Sequence, residues 1–157
     1  MALIDTILPW AQVLQSLIIL AAAGTLYLTY RQVRLRKEQS TTQFEDDLTR
    51  EYRELARRLP VKALLGDELT DEELEENFKH FYYYVDLCNE QIFLRHEERV
   101  SPETWENWCD GIESNLTRPA FRETWEVIKK RSDGNFQELR RLEQSGFQTD
   151  PAEWDQV

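Results

Sequence analysis

The chain has 157 residues, and 30 Asp and Glu against 19 Lys and Arg leave a formal net charge of −11. So acidic a composition argues against nucleic-acid binding, which needs a positive face to displace counterions from phosphates. Two cysteines without CxxC spacing and two scattered histidines, His80 and His96, give no zinc constellation, so neither metal nor cofactor is expected.

Residues 7–30 form a run of 24 residues without a charged side chain. At 1.5 Å rise per residue this makes a helix of roughly 36 Å, enough to cross a hydrocarbon core of about 30 Å. The sequence therefore predicts an N-terminal tail and transmembrane helix over residues 1–30, with the lipid bilayer as its first partner. Trp10 near one end, and Tyr27 and Tyr30 near the other, fall where amphipathic rings prefer the headgroup level. Arg31, Arg34, Arg36 and Lys37 follow at once, while only Asp5 precedes the run. The positive-inside bias then puts the amino terminus outside and the rest of this single-pass chain in the cytoplasm. A cleaved signal peptide is the rival reading, but its cations belong before the apolar stretch, and Ala21 to Gly24 lie inside the run rather than at its end. In a reducing cytoplasm no disulfide is expected between Cys88 and Cys109.

Within the run, Gln12, Gln15 and Ser16 are polar, and Ala21, Thr25 and Thr29 recur every four residues. Such groups support close helix association and interhelical hydrogen bonds, hence a homo-oligomer. Gln12 and Gln15 are equally well read as lying at the outer interface, and both readings stand at this stage.

Residues 31–43 are a basic juxtamembrane collar and connector. Beyond the span and the four collar cations the chain carries 29 acids against 15 bases, net −14. Phe44, Leu48, Tyr52, Leu55 and Leu59 recur at three- and four-residue steps and predict a helix stopped by Pro60, either continuous with the span or bent within 38–43. Residues 61–67 read as a connection holding the breaker Gly66. Thr70 with Glu73 is a capping box, and Leu74, Phe78, Phe81, Val85, Cys88 and Ile92 make the seam of a central core helix. Ser101 and Pro102 open the next helix, with Trp105, Trp108, Cys109, Ile112 and Leu116 inward. Pro119 opens another around Phe121, Trp125 and Ile128, and Ser132 to Gly134 separate it from a segment carrying Phe136, Leu139 and Leu142. The expectation is all-α: an N-terminal transmembrane helix, an acidic helical bundle over 44–143, and a loose tail over 144–157.

No enzyme signature has its required spacing: there is no phosphate loop, dinucleotide fingerprint, nucleophile elbow or HExxH. Neither histidine has an arginine four to six residues upstream, as one class of helical nucleases requires. The acids at 67, 68, 71–73, 75 and 76 lack the alternation and central glycine of a calcium loop. Glu76 and His80 share a helical face as an ordinary exposed pair. Asp86, Asn89 and Glu90 lie together on one side of the central helix. They read as a structural polar cluster that bonds the indoles of Trp105 or Trp108, or pairs with Arg118 or Arg122, with a ligand or partner site as the functional alternative.

YYYVDLCNE over 82–90, Trp105, Trp108 and Gly111 in WENWCDGI, and Pro119, Ala120, Phe121 and Trp125 in RPAFRETW resemble a family of small single-span bacterial membrane proteins with a cytoplasmic helical domain of unknown function. The likeness covers about half the chain and its motifs are packing motifs. It implies a cell inner membrane location and transfers no catalytic residue. An N-terminal span with a helical body also resembles, in architecture alone, accessory membrane effectors of bacterial antiviral systems. The expected function is thus a membrane-anchored, self-associating interaction or scaffold protein, not an enzyme, with a cytoplasmic protein as a further partner. The alternatives are a pore-forming effector with Gln12, Gln15 and Ser16 lining the lumen, and a membrane-tethered nuclease or hydrolase.

Overall fold

The computed structural model describes residues 2–155, with the side chains at 2–14, 16–19, 37 and 38 outside the described set. It divides into two compact units, Met1–Ser40 and Thr41–Val157. Every regular element among the described residues is helical: α1 (Ala2–Ala56), α2 (Val61–Leu65), α3 (Asp71–His96), α4 (Pro102–Leu116), α5 (Pro119–Arg131), α6 (Gln137–Gln144) and a 3₁₀ turn (Pro151–Glu153). The expected all-α class holds. The helix assignment continues through the predicted connector at 31–43, and the boundary between units falls after Ser40 rather than after residue 30 or 43.

Among the described residues no helix is long and apolar enough to cross a membrane, so the expected transmembrane helix gains no support here. The side chains that carry most of the first half of the charge-free run lie outside those residues.

In the second unit the stripe on α1 works as its spacing predicts. Leu48, Leu55 and, just past the helix end, Leu59 are buried, while the Tyr52 ring is tilted at 58° to that of Tyr84 of α3 with centroids 6.4 Å apart. Arg99 stacks on Phe44 at 4.0 Å from the ring centre, and Glu45 accepts the Ser101 N–H at 2.7 Å. The connection expected at 61–67 is instead the short helix α2. Pro60 starts it with a pre-set φ, Ala63 is fully buried, and Gly66 ends it at φ 91°, a left-handed conformation that costs glycine nothing.

The capping box of α3 is formed: Thr70 Oγ1 accepts the Glu73 N–H at 3.2 Å, and Glu73 Oε2 accepts the Thr70 N–H at 3.0 Å. α3 packs against α5, α6 and the 3₁₀ turn, and α4 against α5. Phe81 meets Phe121 edge-on at 5.0 Å, and Tyr84 meets the same ring from another side, also at 5.0 Å. Phe81, Phe121, Trp125, Leu139 and Leu142 are each at most 1% exposed, and burying one such apolar side chain contributes about 1.5–3 kcal/mol. This aromatic and leucine layer is the core.

α6 is short and begins badly, with Phe136 in the left-handed region at φ 57° and no side-chain cap of its own. Its stability comes from tertiary contacts, Phe136 lying edge-on to both Tyr82 and Trp125.

Candidate functional site

The residues assigned to the membrane face are placed as follows. Tyr27 and Tyr30 are 66% and 67% exposed, as are their apolar neighbours Leu20, Leu26 and Leu28 at 57–71%. Arg31, Arg34 and Arg36 are exposed. The side chains of Trp10 and Lys37 lie outside the described residues. Of the helix-association set, Gln15, Ala21, Thr25 and Thr29 are exposed, while the side chains of Gln12 and Ser16 lie outside the described residues. Thr25 and Thr29 turn their hydroxyls back onto the carbonyls of Ala21 and Thr25, each at 2.9 Å.

The polar cluster on α3 divides. Asn89 Oδ1 accepts the Leu139 N–H at 3.1 Å, supplying from α3 the cap that α6 lacks. Asp86 and Glu90 face a shallow cavity of about 270 Å³ with Glu51, Glu54 and Arg58 of the α1 side. There burial, together with the carboxylates of Glu51 and Asp86, pushes the Glu90 carboxyl above its ordinary value. Trp105 is buried elsewhere in the core, and Trp108 is half-buried on a different cavity. Among the described residues no hydrogen bond joins Asp86, Asn89 or Glu90 to either indole, or to Arg118 or Arg122. The five residues named from sequence are therefore two separate groups plus two core tryptophans.

The second cavity, about 240 Å³, opens between α1, α3 and α4. Tyr52, Tyr84, Trp108 and Ile112 wall it, and none of its lining residues is charged. On one side Arg118 donates to Asn115 Oδ1, and Asn115 Nδ2 donates to the Tyr84 hydroxyl at 2.9 Å. Burial pushes that hydroxyl well above its ordinary pKa, with the neighbouring Cys88 adding to the shift and Asn115 opposing it. Burial likewise pushes the Cys88 thiol up to about 12. Gln91, one turn beyond Cys88, is 5% exposed and lines the same cavity. Periodicity gives no sign of these polar core residues, because Gln91 and Asn115 are polar where a helical stripe is recognised by apolar side chains.

The carboxyl-terminal segment is the other feature that sequence reasoning missed. The expected loose tail over 144–157 is docked at residues 145–155. Arg95, 8% exposed on α3, donates through Nε to Asp150 Oδ1 at 2.8 Å, through Nη2 to Asp150 Oδ2, and through Nη1 to the Val100 carbonyl at 2.8 Å. Asp150 also caps the 3₁₀ turn by accepting the Ala152 N–H at 3.0 Å. Pro151 is buried, and Trp154 lies between Arg141, 4.4 Å from its ring centre, and His96. His96 bonds Asp155 at 2.8 Å, and Nδ1 of His80 is buried with no partner among the described residues. Among the described residues no group of three or more His, Cys, Asp or Glu is placed to hold a metal ion.

No protein-family model, no curated protein and no solved structure matches this chain.

Proposed function

We propose that the chain is a single-pass membrane-anchored interaction protein of a cell inner membrane, non-catalytic and self-associating. Residues 7–30 are its anchor and the acidic body lies on the cytoplasmic side. The observation that carries the reading is the row of large apolar side chains at Leu20, Leu26, Tyr27, Leu28 and Tyr30, each more than half exposed, which continues the charge-free run into the arginines at 31, 34 and 36. Apolar surface of that extent needs lipid or another helix to cover it. Ala21, Thr25 and Thr29, exposed at four-residue spacing with both hydroxyls bonded back to the helix, offer a narrow stripe for a second copy. A dimer is the simplest assembly; a ring with Gln12, Gln15 and Ser16 inward would make the protein a pore.

Carboxyl-terminal fusions test the placement. A fluorescent reporter should be bright and an alkaline phosphatase fusion inactive, with the chain resisting extraction from membranes by carbonate. An active periplasmic phosphatase, or recovery in the carbonate supernatant, would refute it. Mass measurement in nanodiscs separates monomer, dimer and ring, and conductance in planar bilayers tests the pore. Joint substitution of His80 and His96 that abolishes a cellular phenotype in a folded protein would reopen the enzyme class.

A further inference from the structure

The uncharged cavity between α1, α3 and α4 differs from the rest of this acidic surface. It holds about 240 Å³, room for roughly eight waters at liquid density and thus for one bicyclic ring system. Its walls are aromatic: Tyr52, Tyr84 and Trp108. Two of its polar groups are already engaged, since Asn115 bonds both Arg118 and Tyr84. Gln91 is not engaged. The residue is 5% exposed and lines the cavity, and its carboxamide has no hydrogen-bond partner among the described residues yet stays accessible there. A carboxamide with no protein partner on the wall of a mostly apolar pocket is the kind of polar group that fixes a ligand's orientation there.

We propose that this cavity binds a neutral, flat heterocycle of the adenine class, with Gln91 reading its hydrogen-bonding edge. Flatness follows from the rings, which favour stacked or edge-on aromatic contact. Neutrality follows from the lining, which offers no counter-charge, in a body of net −14 that repels phosphates. The edge follows from the carboxamide, whose adjacent acceptor and donor match the amino group and ring nitrogen of adenine as a bidentate pair.

The test uses the full chain in detergent, titrated with adenine and followed by calorimetry or ligand-detected NMR. Adenine should bind saturably, and purine lacking the amino group about tenfold more weakly. Gln91→Leu should erase that preference. Gly111 sits at the cavity rim in ordinary helical backbone with open space where a Cβ would stand, so Gly111→Leu should abolish binding while leaving thermal stability unchanged or higher. The proposal is overturned if millimolar adenine shows no saturable binding, or if Gly111→Leu binds as well as the parent. It is equally overturned if N-acetyl-tryptophanamide binds more tightly than adenine, which would make the occupant a peptide side chain.

Discussion

Replacing Asp150 by Asn keeps the side chain's size and removes the charge that Arg95 holds. The Arg95 side chain is 9% exposed and that of Asp150 28%, so the substitution leaves a buried guanidinium facing a neutral acceptor. Breaking a fully buried pair costs about 3–5 kcal/mol, and a single hydrogen bond to a charged group is worth about 1.5–3 kcal/mol. Asp150 is partly solvated, and Asn keeps one acceptor for the guanidinium or for the Ala152 N–H, so the expected loss is about 2 kcal/mol. For a body of this size that lowers Tm by about 8 °C. Four of the five tryptophans lie at 105, 108, 125 and 154, so denaturant titration followed by indole fluorescence reports on this unit. The pH dependence has a definite sign. Burial pushes the Asp150 carboxyl up, but hydrogen bonds from Arg95 and the Ala152 N–H, with the guanidinium charge, outweigh it and hold the group below its ordinary 3.8. A depressed carboxylate stabilises the fold fully above the ordinary value and loses that contribution as pH falls through the folded one. The gap between parent and Asp150→Asn should therefore be constant near neutrality and close below pH 3.8. A variant within about 0.5 kcal/mol of the parent at pH 7 would refute the clamp.

Asn89→Ala should cost about 1 kcal/mol by stripping the borrowed cap from α6, read as faster amide exchange at Leu139. Thiol labelling should fail at pH 8 until the chain unfolds, because burial pushes Cys88 to about 12 and Cys109, with nearby carboxylates adding, to about 11; prompt modification of native protein would contradict the burial of both. Glu90→Gln should raise stability at pH 7 by about 0.5 kcal/mol after discounting for solvent, since an acid whose folded pKa is raised destabilises the fold at higher pH and ceases to do so as pH falls. A loss of stability in that variant would show Glu90 to be favourably paired instead.

Local signals were legible in the sequence where the physics is local. Thr70 with Glu73, Ser101 before Pro102, and Pro119 at a helix start each resolve within four residues, and each forms as read. The apolar stripes also placed the core, because 3.6-residue periodicity is set by the surface a helix must bury. What was hidden depends on partners far along the chain. Asp150 gives no hint of Arg95, 55 residues away, and a segment without apolar periodicity reads as tail unless that pair is known. Asn89 reads from sequence as bonding an indole or an arginine, whereas its partner is the backbone N–H of Leu139, which carries no sequence mark at all. The helix at 61–65 was missed because five residues are too few to show a period.

The distribution of cations bears on what the body can meet. Arg95 turns to Asp150 and Val100, Arg118 to Asn115, and Arg140 to the carbonyls of Lys129, Ser132 and Asn135 that end α5. Lys129 sits between Glu126 and Glu143 over Trp125, while Arg99 and Arg141 stack on Phe44 and Trp154. These bases spend their geometry on holding helices together, and several do so against neutral acceptors that cancel no charge. Most of the other carboxylates are exposed, so an approaching molecule meets the negative field of 29 acids against 15 bases. Such a field favours a protein partner with a neutral or basic face. The same field, with no cation in the cavity wall to offset it, makes the cavity suit a neutral ligand and not an anionic one.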